Sequence, residues 1–327
     1  MLRIGVLGAG HLGKIHIKCI QQISQYELVG FYDPDPATAS QVSATGVHCF
    51  GTLEDLIEAV DVVDIVTPTV QHFACASKAL SRRRHVFIEK PIVATPEEAK
   101  KLIVLADQAG VKVQVGHVER FNPAFLAAEP RITSPRFIEV HRLALFNPRG
   151  TDVPVVLDLM VHDLDILLSI VKSPVAKVTA CGVSIVSPTP DITNARIEFE
   201  NGTVANLTAS RISLKNMRKM RIFQDDAYIT MDFLDKKTEI VRIHDHEEKG
   251  YPYSLTLDLA DGATRQITME MPEIHPINAI QTELESFHDS IIHNTVPVVS
   301  IHDGVMVLNL AYDILKAVED SFKKMAH

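Results

Sequence analysis

The chain has few cysteines, no uninterrupted long apolar run and no excess of positive charge, and each shortage removes a class of protein. Cys19, Cys49, Cys75 and Cys181 are scattered without C-x-x-C spacing, which argues against a zinc site or a disulfide framework. The longest nearly apolar stretch, residues 153–171, contains Asp158, His162, Asp163 and Asp165. Four ionisable residues make it a poor membrane span. A formal net charge of −9 argues against a general binder of nucleic acid or of membrane surfaces. The sequence opens directly on strand-like residues and shows no leader pattern, so a cytoplasmic location is expected. No internal repeat or low-complexity stretch is evident. What is there is an ordinary globular composition, 46% hydrophobic and 22% charged over 327 residues. That is enough chain for two domains with separate cores.

The most informative segment is residues 2–13, an apolar strand running into Gly8-Ala9-Gly10-His11-Leu12-Gly13. A dinucleotide fold needs the first glycine for a tight turn, the second for close approach of backbone to a pyrophosphate, and the third for packing helix on strand. The following helix, about residues 11–22, would point its unpaired N–H groups at that phosphate. A second apolar strand, residues 27–32, ends in Asp33. An acid there accepts hydrogen bonds from the adenosine ribose hydroxyls and repels a 2′-phosphate, so NAD is expected over NADP.

Up to about residue 120, short apolar strands (2–7, 27–32, 62–67, 85–88, 112–115) alternate with helices. That rhythm implies a parallel sheet covered on both faces. Beyond Asn122-Pro123 it changes. One apolar helix, residues 155–171, precedes eight strand-like runs with Asn201-Gly202 and Asp261-Gly262 as hairpin turns. Two closing helices follow, about 277–293 and 303–324, the second with Asp303 as its cap. The expected fold is an α/β Rossmann domain, residues 1–121, joined to an α+β domain, residues 122–327, with a large, mostly antiparallel open sheet. The closing helices are allowed to pack back on the first domain. Eight strands with few helices to cover them leave an apolar face that a partner copy would bury.

Two constellations carry chemistry. Glu89-Lys90-Pro91 follows the strand 85–88 directly, at the end of a parallel strand where ligands bind. A lysine there can hold a substrate hydroxyl and stabilise the alkoxide. On a helix, Asp158, His162 and Asp165 share one narrow face among leucines and valines. A histidine can take a proton from an alcohol while an aspartate one turn away orients it. Weaker candidates are His244-Asp245-His246 as a metal site and the run Arg211, Lys215, Arg218, Lys219 and Arg221 as an anion guide. A solvated turn and a solvated face suit these better. Arg120, Arg142 and Arg149 lie near the domain junction, and one of them is a candidate contact for a substrate phosphate.

Taken together, Gly8 to Gly13 with His16, Asp33, Thr67-Pro68, Glu89-Lys90-Pro91, and Asp158-x-x-x-His162 with Asp165 resemble the Gfo/Idh/MocA family over essentially the whole chain. The resemblance implies NAD(P)-dependent oxidation of a sugar-ring hydroxyl to a ketone by a homo-oligomer, dimer or tetramer. It makes Lys90, Asp158 and His162 the catalytic set, with Arg120 beside them at the substrate. Gly8, Gly10, His11, Leu12, Gly13, Asp33, Thr67, Pro68, Glu89 and Lys90 become the cofactor set. The stretch Val115-Gly116-His117-Val118-Glu119-Arg120-Phe121-Asn122-Pro123-Ala124 and the stretch leading from Asp152 to Asp165 are similar to the branch that oxidises the 3-hydroxyl of a UDP-N-acetylhexosamine. In that branch a partner aminotransferase then takes the ketone. Pro154-Val155-Val156 stands where inositol dehydrogenases have a glycine-rich stretch, which counts against a free inositol. The alternatives are a dehydrogenase of a free sugar or inositol, and a non-catalytic NAD-dependent sensor or repressor. Retention of Lys90, Asp158 and His162 argues against the sensor.

Overall fold

The computed structural model describes residues 1–147, 153–245, 250–251, 253–258 and 264–325. Arg149, Asp152, His246 and the Asp261-Gly262 turn lie outside the described residues. The strands are β1 (Leu2–Leu7), β2 (Tyr26–Tyr32), β3 (Val62–Ile65), β4 (His85–Glu89) and β5 (Val113–Gly116), then β6 (Pro135–Leu145), β7 (Val175–Val183), β8 (Ile192–Phe199) and β9 (Val204–Ser213). They continue with β10 (Met217–Gln224), β11 (Ala227–Asp232), β12 (Lys237–His244), β13 (Tyr253–Asp258) and β14 (Thr264–Glu270). The helices are α1 (His11–Ile20), α2 (Pro36–Ser43), α3 (Leu53–Ala59), α4 (Thr69–Ser81), α5 (Pro96–Ala109) and α6 (Pro123–Ala128). The last three are α7 (Val161–Ile170), α8 (Ala279–Ile292) and α9 (Ile301–Met325). The chain divides into two compact units, residues 1–118 with 278–309 and residues 119–277 with 310–327.

The first unit is a parallel sheet in the order β2-β1-β3-β4-β5. Its inner strands β3 and β4 are buried on both faces, so they read as nearly continuous apolar runs. Ile4, Val6, Phe31, Phe87, Leu284 and Phe287 form its core under α1 and α8. Parallel pairing puts all five strand ends on one edge, and the loops of the site leave from that edge.

The second unit is a nine-stranded sheet in the order β13-β14-β12-β11-β10-β6-β9-β8-β7. It is antiparallel throughout except where β6 runs parallel to β9. Burial alternates along β8, β9 and β11, as a sheet covered on one face requires. On the other face Phe137, Phe223 and Tyr228 form a row, with ring centroids 5.8 and 4.8 Å apart. The Asn201-Gly202 turn forms as expected, with Gly202 at φ 85° and the Thr203 N–H donating to the Asn201 side chain at 3.1 Å.

Three local readings change. Strand β6, at the centre of the sheet, escaped the sequence because its inward positions are Ile138, Val140 and the buried Arg142. A buried arginine breaks the apolar alternation. The expected single helix over 155–171 is a π-helical turn, Val156–Met160, leading into α7. The cap of α9 is Ser300, whose Oγ accepts the Asp303 N–H at 3.2 Å. Asp303 Oδ2 accepts the Ser300 N–H at 2.8 Å in return.

Candidate active site

The glycine turn after β1 has the shape the sequence demands. Gly8 sits at φ 92°, and a Cβ there would lie 2.8 Å from the Val66 carbonyl oxygen. A Cβ on Gly13 would lie 2.0 Å from the Gly8 carbonyl oxygen, so only glycine lets the helix close on the turn. At Gly10 the situation is reversed. A Cβ would meet no protein atom within 4 Å. Gly10 is also the N-cap of α1, and no side chain caps that helix. Open backbone N–H groups beside an unobstructed glycine are the cradle a pyrophosphate fits. His11 is exposed and Leu12 half-buried in the first turn of α1.

Asp33, at the end of β2, is locked to this turn. Its Oδ2 accepts the Ala9 N–H at 2.7 Å and its Oδ1 accepts the Asp35 N–H at 2.9 Å. Thr67 and Pro68 form the loop after β3, and Pro68 is the N-cap of α4. The buried His72 of α4 spans two loops, with Nε2 2.9 Å from the Thr67 carbonyl oxygen and Nδ1 2.9 Å from that of Pro91. Burial lowers the pKa of His72 against the pull of these carbonyls. The neutral ring can donate to one of these carbonyls at a time, and it packs between the loops bearing Thr67-Pro68 and Lys90-Pro91.

Glu89 closes β4 and Lys90 follows it. Glu89 Oε2 accepts the Lys90 N–H at 3.2 Å, and its Oε1 lies 3.2 Å from His16 Nε2. His16 Nδ1 is in turn 2.9 Å from Asp64 Oδ2. Sequence reasoning passed over Asp64, although a lone acid in the run Val62-Val63-Asp64-Ile65 signals a partner.

In the second unit Asp158 lies on the π-helical turn and His162 in the first turn of α7, both half-buried. The turn begins at Pro154, whose carbonyl oxygen accepts the N–H groups of both Leu157 and Asp158, at 3.0 and 3.1 Å. Wider turns of this kind change the facing of side chains. Here the turn precedes His162, so it changes the facing of Asp158 relative to His162, while Asp165 keeps regular helical spacing to His162 within α7. Asp165 is fully buried and bound by Arg120, whose Nε donates to Oδ2 at 2.7 Å and whose Nη2 donates to Oδ1 at 3.1 Å. Arg120, expected at the substrate, thus uses Nε and Nη2 on this pair.

Asp163 has its own arginine. Arg142 reaches it from β6 with Nε–Oδ2 at 2.8 Å and Nη2–Oδ1 at 2.9 Å. Arg142 Nη1 also donates to Glu119 Oε1 at 3.1 Å, and Asn122 Nδ2 donates to Glu119 Oε2 at 2.8 Å. Burial raises the pKa of Asp163 while Arg142 pulls it down. Burial works against the charge on Arg142, yet Asp163 and Glu119 outweigh it and strengthen that charge. The acids flanking His162 in sequence are each neutralised by a separate arginine, a network the sequence does not announce.

The weaker candidates occupy other roles. His244 Nε2 is 2.8 Å from Thr268 Oγ1, and Asp245 pairs with Arg265 at 3.0 Å. Of the basic run, Arg211 donates to the Val153 carbonyl, Lys219 pairs with Asp232 at 3.2 Å and Arg221 with Glu139 at 2.8 Å. Among the described residues no helix is long and apolar enough to cross a membrane.

Residues 2–117 match an oxidoreductase family with an NAD-binding Rossmann fold, Gfo/Idh/MocA, and residues 143–230 match the C-terminal domain of the same family. UDP-N-acetylglucosamine 3-dehydrogenase of Acidithiobacillus ferrooxidans is 40% identical over 242 residues, 73% of this chain and 76% of that protein. A solved structure of UDP-N-acetylglucosamine 3-dehydrogenase from that organism superposes with a TM-score of 0.87 at 34% identity, covering 98% of each chain. Inositol 2-dehydrogenase of Rhizobium meliloti is 26% identical over 98% of this chain and 97% of its own.

Proposed function

Because the chain belongs to the Gfo/Idh/MocA family of NAD-binding oxidoreductases, we propose that it oxidises the 3-hydroxyl of a UDP-N-acetylhexosamine to a ketone. The observation that carries the substrate class is the 40% identity to a UDP-N-acetylglucosamine 3-dehydrogenase. NAD, when bound, supplies the acceptor for the hydride that leaves the ring carbon. Gly8, Gly10, His11, Leu12, Gly13 and Asp33 hold the dinucleotide, with Thr67, Pro68, Glu89 and Lys90 along its path. The His162 imidazole takes the hydroxyl proton and Asp158 orients the ring. The Lys90 Nζ donates to the substrate oxygen and stabilises its developing charge. Arg120 sits at the edge of the substrate set. Pairing of Asp163 and Asp165 with arginines leaves the orienting task to Asp158.

The reading is tested by mixing the protein with NAD and a panel of sugars while following nicotinamide reduction. UDP-N-acetylglucosamine or its C4 epimer is expected to give the fastest turnover. Turnover of free sugars or inositol alone would overturn the nucleotide-sugar assignment. The near full-length match to an inositol 2-dehydrogenase makes inositol the necessary control. We also place the enzyme in the cytoplasm, with its NAD pool, as a dimer or tetramer. The uncovered aromatic row and the exposed Val183, Ile185 and Leu255 support self-association of the sheet. Light scattering at micromolar concentration checks this, and a monomer would contradict it.

A further inference from the structure

A buried chain of charge runs through the first unit under the end of β4. The side chains of His16, in the middle of α1, and Asp64, in β3, have no exposed surface. His16 lies between Asp64 Oδ2 at 2.9 Å and Glu89 Oε1 at 3.2 Å, one carboxylate for each ring nitrogen. Phe87 packs edge-on against the imidazole, with centroids 5.8 Å apart. Glu89 carries the chain onward, because its Oε2 accepts the backbone N–H of Lys90 at 3.2 Å. Room for this carboxylate comes from β5. Gly116 pairs with Glu89 there, and a Cβ on Gly116 would lie 2.8 Å from Oε1.

Nδ1 is hydrogen-bonded to Asp64, whereas Nε2 makes no hydrogen bond and meets Glu89 as an ion pair, an attraction that needs the ring to carry both protons. Burial opposes that charge, but Asp64 and Glu89 outweigh it and keep His16 protonated well above its ordinary range. Burial also raises Asp64, against the pull of His16. A dry ionic chain of this kind is weak support for stability, since apolar residues of the same volume often do as well. Its course gives it another use. It starts on the helix whose N-terminus meets the dinucleotide and ends on the main chain of Lys90.

We propose that His16 is a positioning residue for Lys90: anchored by Asp64, it fixes the Glu89 carboxylate, which holds the Lys90 main chain in place relative to α1. The proposal rests on the dehydrogenase reading for what Lys90 does, while the anchor itself is measurable without any substrate. In the full-length protein without ligand, nitrogen NMR of His16 is expected to show an imidazolium that persists well above the ordinary histidine range. His16→Asn, and Gly116→Ala, which displaces Glu89 without touching the ring, are each expected to speed hydrogen exchange of the Lys90 amide about tenfold or more. With an active sugar, both should lower kcat by up to about a hundredfold, the cost of misplacing a reacting group by an ångström. KM for NAD should change much less than kcat. A merely structural role would lower thermal stability and leave Lys90 exchange and kcat of the folded protein unmoved. A His16 ring that titrates near its ordinary pKa, or a folded variant with unaltered Lys90 exchange, overturns the proposal. Should His16→Asn fail to fold, Gly116→Ala decides by the same readout. Failure of every sugar with the unaltered protein would sink the dehydrogenase reading and leave the exchange result standing.

Discussion

The two units build their sites from different materials. In the first unit the ligand cradle is main chain, shaped by Gly8, Gly10 and Gly13, with one carboxylate, Asp33, bound to the turn it serves. In the second unit the proposed reactive pair Asp158 and His162 rides on a helix whose neighbouring acids are buried and matched to arginines from elsewhere in the chain. The contrast teaches where each site is vulnerable. A main-chain cradle tolerates little added volume, because the backbone itself fills the space. An ion-pair frame tolerates no lost charge, because each partner left behind stays buried without compensation. The reacting groups themselves should be separable from both kinds of frame.

That separation is the first way to break the comparison, and it has the largest expected effect. Lys90→Ala and His162→Ala should each slow turnover about a hundredfold to ten-thousandfold, with NAD affinity unchanged in the His162 variant and weakened far less than turnover in the Lys90 variant. The His162→Ala variant should recover partly at high pH, where hydroxide or ionised alcohol replaces the base. Asp158→Asn should cost less, because it disturbs orientation and leaves the imidazole in place. Steady-state kinetics alongside calorimetry of NAD binding tests all three. A His162→Ala variant with unaltered kcat would make Asp158 the better base.

The frame of the second unit is tested next. Arg142 is buried between Asp163 and Glu119, so Arg142→Met should cost about 3–5 kcal/mol of stability. The sign of its pH dependence follows from Asp163. With the arginine gone, burial and the neighbouring Glu119 raise that carboxyl's folded pKa above its unfolded value, against the smaller pull of Arg218. The folded variant then binds more protons than the unfolded chain, so its deficit should shrink as pH falls. Urea melts at two pH values would show this. A variant as stable as the unaltered protein at neutral pH would mean the network does not hold the frame.

How much of this was legible in the sequence follows the same division. The cradle could be read because its signals are local: three glycines within six residues, an acid at the end of the next strand, and a lysine directly after a third. Asp158 and His162 were legible as residues but not in their geometry, since a π-helical turn has no signature in side-chain spacing. The ion pairs were illegible for a plainer reason. Arg142 is 21 residues from Asp163 and 45 separate Arg120 from Asp165, and each arginine by itself reads as a surface charge. Arg142 also hid β6, since a charge at an inward position breaks the alternation that marks a strand.

A smaller effect separates two glycines of the cradle. Gly13→Ala places a methyl on the Gly8 carbonyl, and such overpacking costs about 1–3 kcal/mol of stability. Gly10→Ala meets no protein atom, so the protein should melt like the unaltered one and yet bind NAD more weakly. Thermal melts and calorimetry on the pair distinguish backbone packing from ligand approach. Equal melting temperatures for both variants would contradict the packing role of Gly13.

The two kinds of construction meet at Asp33, where the test is a difference between two cofactors. Each of its oxygens already accepts a backbone N–H, from Ala9 at 2.7 Å and from Asp35 at 2.9 Å. A carboxylate oxygen has more than one acceptor site, so the ribose hydroxyls can share these oxygens. The charge would repel a 2′-phosphate at the same place. Asp33→Ser should therefore do two things at once. It loosens the turn and weakens NAD, and it removes the repulsion and narrows the gap to NADP. Asp33→Asn keeps one oxygen acceptor without the charge, so it should preserve more of the NAD affinity while narrowing the gap comparably. Each lost charged hydrogen bond is worth about 1.5–3 kcal/mol, which bounds the loss in NAD affinity from the serine variant. Titration of both cofactors into the three proteins checks the pattern. Equal affinity of the unaltered protein for NAD and NADP would remove Asp33 from the cofactor site and leave it as a clamp on the turn alone.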